Sequence, residues 1–292
     1  MNESLLRKQH DFFVGIDSDG CVFDSMRVKQ CIHFHPLIIK FWGLEAFEKP
    51  LRACAEFVNL NSKSRGSNRF AALIRLFDLL KTYPGVPSDA MDFPDFTALS
   101  AYLSSGVPLG NPTLKEAVAK TGDSELKRVY AWSLAINEEI NTNMKPIPPF
   151  HGAVKALQLM QATSDVVVIS QTPEDALVRE WETHDIRKYA GMVAGLEFGT
   201  KAEQIRAASE GRYDVSRMLM LGDAVGDQKA AQETGILFYP IMPDQEDASW
   251  ERFISEAYPR FLAGTYAGSY SDSLAAAFDA ALPETPSWQR GK

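Results

Sequence analysis

The sequence predicts an α/β protein: a doubly wound, Rossmann-like parallel sheet core interrupted by an inserted all-helical domain. Three observations carry this. A short apolar run, Phe12-Phe13-Val14-Gly15-Ile16, ends in Asp17-Ser18-Asp19-Gly20; it is too short for a buried helix and reads as an interior strand. From Gly152 onward, β-branched apolar runs alternate with helical patterns, the signature of a parallel sheet. Between them, from about Ser25 to Pro149, only helical periodicity is found. The core is therefore expected over 1–24 and 150–292, with a helical insertion over 25–149.

The elements follow in order. Asp24 or Ser25 starts a helix through Met26, Val28, Ile32, Leu37, Ile38 and Phe41, with Pro36 forcing a kink or a break. A second helix covers Ala46–Leu60, and Asn61–Asn68 is a polar loop. Arg69–Lys81 carries a helical apolar face at Phe70, Leu73, Ile74, Phe77 and Leu80. The proline-rich Tyr83–Pro112 stretch reads as loop with a short helix near Asp95–Ser104. Helices at Pro112–Lys120 and Asp123–Asn141 follow, and Pro146-Ile147-Pro148-Pro149 breaks the chain. Beyond it come helix Gly152–Gln161, strand Asp165–Ser170, helix Pro173–Thr183 and a short strand at Gly191–Ala194. Then come helix Lys201–Ser209, strand Met218–Leu221, helix Asp227–Thr234 with Gly235 as its C-cap, strand Ile236–Ile241 and a helical tail.

Bulk properties bound the function. The 292 residues are 45% hydrophobic and 23% charged, as expected for a packed globular chain, and the net charge of −8 argues against a general nucleic-acid binder. Met1–Asp11 is polar and shows no signal-peptide core, and no run is apolar enough to span a membrane. The three cysteines, Cys21, Cys31 and Cys54, show neither CxxC nor a Cys/His ligand spacing and read as cytosolic thiols. A cytoplasmic enzyme without a nucleic-acid or membrane partner is the expectation.

Loops leaving strand carboxyl ends share one edge of a doubly wound sheet. Three later stretches can therefore converge on Asp17 and Asp19: Ser170-Gln171-Thr172-Pro173, Gly199-Thr200-Lys201, and Gly222-Asp223 through Asp227. Thr172, Pro173 and Asp175 read as helix punctuation, with Thr172 as N-cap. Thr200 and Glu203 form a capping box that puts Lys201 in the first turn, where the helix dipole disfavours a cation. Lys201 has a reason to be there if it faces a phosphate and a carboxylate. Asp17 and Asp223 offer the hard oxygens that Mg²⁺ prefers. A carboxylate can attack phosphorus if a metal and a lysine offset its charge, while a second carboxyl protonates the leaving oxygen and then activates water.

The set Asp17-Ser18-Asp19-Gly20, Ser170, Lys201 and Gly222-Asp223 to Asp227, in this order and strand context, resembles the haloacid dehalogenase superfamily. The resemblance covers the α/β part and implies a Mg²⁺-dependent phosphatase acting on a small phosphorylated substrate through an aspartyl-phosphate. It implies Asp17 as nucleophile, Asp19 as acid/base with its backbone carbonyl on the metal, and Lys201 with Ser170 and Gln171 as phosphate holders. Asp223 would be a metal ligand, and Asp227 a ligand or the support of one. It also implies that the helical insertion is a mobile cap over the site. Asp19 argues against dehalogenase chemistry and the phosphonate-cleaving branch, neither of which uses an acid there. Within the insertion, Arg65, Asn68 and Arg69 around Gly66 are candidates to grip a substrate anion.

Rival readings are a sugar phosphomutase with the same core residues and a phosphate-ligand binding protein without turnover. Cys21 to Arg27 fits the C-x5-R spacing of cysteine phosphatases but lacks the glycines of such a loop. His33 and His35, two residues apart on different helix faces, read as structural or exposed.

Overall fold

The computed structural model describes residues 6–87, 89 and 91–289. The first five residues of the polar N-terminal stretch and the last three of the range assigned to the core lie outside them. The chain divides into two compact units, Met1–Met26 with Pro146–Leu282, and Arg27–Lys145 with Pro283–Lys292.

The first unit contains a five-stranded, all-parallel sheet. Its strands are β1 (Phe12–Ile16), β2 (Ser164–Ile169), β3 (Met192–Ala194), β4 (Met218–Gly222) and β5 (Leu237–Pro240), in the order β3-β2-β1-β4-β5. The strand order reverses at β1, so the crevice at its carboxyl end is the topological switch point. Ile16 pairs with Val168 on β2 and with Leu221 on β4. Asp17 is thus level with Ile169 and Gly222, and the loops holding Ser170 and Asp223 leave the same edge.

Both faces of the sheet are buried, which is why its strands read as continuous apolar runs rather than alternating ones. Val14, Ile16, Val166, Val168 and Leu221 pack with Leu157, Trp181, Trp250 and Phe253 on one face. Phe13, Val167, Ile169 and Met220 pack with Ala202, Ile205 and Ala231 on the other.

The second unit is helical. The helical run that leads into it from Ser25 changes character before Pro36: Ser25–Val28 is α-helical, Lys29–Phe34 is π-helical, and His35–Trp42 is α-helical with Pro36 in its first turn. A proline lacks the N–H and collides with the carbonyl four residues back, and the wider turn relieves both problems. Helices Glu48–Asn59, Arg69–Lys81, Thr97–Leu103, Asn111–Thr121 and Ser124–Asn143 complete the unit around a core that includes Trp42, Phe77 and Trp132.

One boundary needs correction. The last residues, placed with the α/β core on sequence, belong from Pro283 onward with the helical unit. Aromatic packing is the cause: the Trp288 ring lies 5.7 Å from Phe57 and 5.1 Å from Tyr83, and Gln289 Nε2 donates to Thr82 Oγ1 at 2.7 Å. Sequence periodicity detects a helix but cannot tell which core a short terminal aromatic segment joins.

Candidate active site

Asp17 directly follows β1, and its backbone N–H donates to Leu221 O at 3.0 Å, extending the strand pairing by one residue. Its side chain is buried. Lys201 Nζ lies 3.0 Å from Asp17 Oδ2 and donates to Asp227 Oδ1 at 2.6 Å. The capping box of Thr200 and Glu203 forms as expected and sets Lys201 as the first residue of helix Lys201–Ser209. The unfavourable dipole position of the lysine is thus offset by two carboxylates.

Asp227 has two jobs. Besides accepting from Lys201, its Oδ2 accepts from the Ala224 N–H at 3.0 Å, capping helix Val225–Thr234. Gly222 makes room for it: a Cβ at that position would lie 2.2 Å from Asp227 Cγ. One carboxylate oxygen from each of Asp17, Asp223 and Asp227 falls within 4.8 Å of the others, and all three residues are buried.

The electrostatics follow from this crowding. Burial pushes the Asp17 carboxyl well above the usual carboxylate range; Lys201 opposes this, while Asp227 and Asp223 reinforce it. Burial alone would pull the Lys201 ammonium down, but Asp17 and Asp227 outweigh it and hold the group firmly charged. Three carboxyls against one ammonium leave a deficit of positive charge in a buried, all-oxygen donor set, which suits a hard divalent cation.

Asp19 stands apart from this cluster. Its Oδ1 accepts from Ser25 Oγ, and its Oδ2 accepts from Thr172 Oγ1 at 2.9 Å. The reading of Thr172 as an N-cap is corrected: the helix begins at Glu174, Pro173 occupies the cap position, and no side chain caps it. A turn in which Thr172 N–H donates to Ser170 Oγ at 3.2 Å sets the threonine one residue too early to cap. Its hydroxyl reaches Asp19 instead. The contacts of Ser25 and Thr172 with Asp19 were missed by sequence reasoning; one residue offered a helix start as a sufficient explanation, the other a helix cap.

Other supports are also new. Trp181 Nε1 donates to Ser18 Oγ at 3.0 Å and fixes the loop between the two carboxylates. Fully buried Gln204 directs Nε2 to Ser170 O, Gly195 O and Gly199 O at 2.8–3.0 Å, tying together the loops after β2 and before Lys201. Its place in an ordinary helical pattern gave no signal.

Ser170 is buried after β2, and Gln171 is exposed, with Nε2 donating to Gly199 O at 2.9 Å. The remaining candidates lie in the helical unit, where each has a local partner. Asn68 caps helix Arg69–Lys81 by accepting from Phe70 N–H. Arg65 is buried with Nη1 donating to Leu60 O. Arg69 Nη1 donates to Asn137 Oδ1 at 2.8 Å, and the guanidinium lies 5.4 Å from the Phe34 ring.

The cysteine-phosphatase reading fails. Cys21 is fully buried in the core, and burial, reinforced by the charges of Asp223 and Asp17, pushes its thiol well above the range where a thiolate forms.

No protein-family model matches the chain, and no curated protein matches it in sequence. Among solved structures, the fold is similar to a haloacid dehalogenase-like family hydrolase from Streptococcus pneumoniae, at 14% identity and a TM-score of 0.42, over 82% of this chain and 90% of that one. It is similar to a putative phosphoglycolate phosphatase from Lactobacillus delbrueckii subsp. bulgaricus, at 13% identity and a TM-score of 0.48, over 79% and 85%. It is also similar to a putative phosphoglycolate phosphatase from Lactobacillus plantarum, at 9% identity and a TM-score of 0.44, over 79% and 86%.

Proposed function

We propose that the protein is a Mg²⁺-dependent phosphatase that hydrolyses a small phosphorylated metabolite through a phosphoenzyme on Asp17. The observation carrying this reading is the pairing of a buried, lysine-bound Asp17 with a separately held Asp19 two residues on. This pairing supports the reading of one carboxylate as nucleophile and the other as proton carrier.

The buried oxygen cluster fits Mg²⁺, with Asp17 and Asp223 as its carboxylate ligands and Asp227 holding Lys201. When bound, the ion would neutralise phosphate charge and favour ionised Asp17. In the first step an Asp17 carboxylate oxygen forms a bond to phosphorus as the ester oxygen leaves, taking a proton from Asp19. In the second, Asp19 accepts a proton from water, the water oxygen attacks phosphorus, and the P–O bond to Asp17 breaks, releasing inorganic phosphate. Lys201 offsets negative charge through both steps. Phosphate monoesters resist hydrolysis so strongly that on the order of 20 kcal/mol of barrier must be removed; covalent attack, acid/base transfer and charge neutralisation together reach that scale. The helical unit is proposed to act as the substrate-selecting cap.

The test is turnover of p-nitrophenyl phosphate and a panel of metabolite phosphates with Mg²⁺, and after its removal by chelator. Phosphate release should require the ion and return on its addition. Asp17→Asn should lower kcat by at least about 10⁴-fold; wild-type turnover in that variant would refute the nucleophile assignment.

A further inference from the structure

The helical unit contains a second cluster with metal-ligand chemistry, one that the phosphatase reading does not use. Cys31, His35 and Glu56 each offer one ligand atom, and these three atoms lie within 4.8 Å of one another. Cys31 and His35 are four residues apart on one continuous helical run, so they share a face. Glu56 comes from the adjacent helix Glu48–Asn59. The sequence search for CxxC or paired Cys/His spacings passed over this pair because its third member comes from another helix. Cys31 also sits inside the π-helical turn Lys29–Phe34, a feature that often marks functional positions in helices.

His35 supplies the independent pointer. It is fully buried, and among the described residues neither ring nitrogen has a hydrogen-bond partner. A buried polar group left in that condition costs on the order of 1–3 kcal/mol. One of its nitrogens is a member of the cluster, so the imidazole is aimed at the thiol and the carboxylate. Glu56 and Arg52 also line a shallow surface cavity of about 630 Å³ bounded by Glu45, Glu48, Lys49 and Ala53.

We propose that Cys31, His35 and Glu56 form a binding site for a borderline-soft divalent metal ion, zinc by preference. A thiolate, an imidazole and a carboxylate are the ligand types zinc takes, whereas the all-oxygen cluster of the core suits magnesium. Binding releases the Cys31 thiol proton to solvent and leaves a fourth position for water or another ligand. Arg52 lies beside the cluster, its Nη1 donating to Cys31 O and its Nε to Glu48 Oε1. Its charge lowers affinity without filling the site, because the two anionic ligands exceed it.

The test is titration of the full-length, chelator-stripped protein with Co²⁺, read by absorption, then competition by Zn²⁺. Wild type should develop a thiolate-to-cobalt charge-transfer band that Zn²⁺ removes at one equivalent. Cys31→Ser should abolish the band and Cys21→Ser should keep it, which separates this site from the core cluster. His35→Gln and Glu56→Gln should weaken cobalt binding at the thiolate site at least about 10-fold. Absence of the band in wild type, or its survival in Cys31→Ser, would overturn the proposal.

Discussion

Asp19 accepts hydrogen bonds from Ser25 and from Thr172, and these orient the carboxyl proposed as proton carrier. Without the Thr172 hydroxyl the carboxyl keeps its chemistry but loses a bond that helps set its rotamer. Thr172→Val should therefore lower kcat by roughly 10–100-fold with KM little changed, since general acid–base transfer is worth about 10²–10⁴ in all. Thr172→Ser should restore most of the rate. The acid/base limb of the kcat–pH profile should move in the valine variant and return in the serine variant. If valine and wild type have the same kcat, Thr172 serves only the fold. The residues proposed for the chemistry were flagged by local traces in the sequence: Asp17 and Asp19 follow β1, Asp223 follows β4, and Lys201 follows the capping residue Thr200. Their supports were not, since a hydroxyl that donates across 153 residues looks the same in sequence as one that caps the next helix.

At the level of elements, the carboxylate cluster depends on where helix Val225–Thr234 starts. Asp227 caps that helix through Ala224 N–H and at the same time holds Lys201. Gly222, the last residue of β4, carries no side chain, and this lets the Asp227 carboxylate lie against the strand. Gly222→Ala should displace Asp227, lose the cap bond and release Lys201. The expected cost is about 1–3 kcal/mol in stability, with Mg²⁺-dependent turnover down at least about 100-fold; urea unfolding and steady-state assays measure the two. An alanine variant that folds and turns over like wild type would mean that Asp227 does not set the lysine. The strands and most helices could be read to within a few residues, the strands as short continuous apolar runs and the helices by their apolar spacing. The π-helical turn before Pro36 could not, since a proline announces a disruption without specifying how the chain absorbs it.

Across the whole molecule, the chain passes between the two units three times, at 26/27, 145/146 and 282/283, and the last passage is the one that periodicity misassigned. Trp288 packs its ring against Phe57 and Tyr83, so Trp288→Ala should destabilise the helical unit by about 1–3 kcal/mol and speed its proteolysis. Cleavage inside Glu48–Lys81 no faster than in wild type would show that the tail contributes nothing there. The same unit should respond to alkali through Cys54, which is fully buried between its helices. Burial pushes that thiol from 9.0 up to about 12. An unfolded chain begins to ionise its thiol near the lower value, while the folded chain keeps the proton until the higher one. Between them the folded state binds more protons, so stability falls as pH rises, by up to about 4 kcal/mol for this group. Buried Tyr239 and Tyr266, also pushed up by burial, add to the fall at the upper end. Below about pH 8 neither contributes a slope. Cys54→Ala lowers stability at every pH by leaving a small cavity, so the informative quantity is the slope. Urea midpoints measured from about pH 8 to 11 should fall less steeply in Cys54→Ala than in wild type. Parallel curves would mean that the Cys54 thiol ionises as readily folded as unfolded, and the packing of Glu48–Asn59 against the rest of the helical core would have to be redrawn.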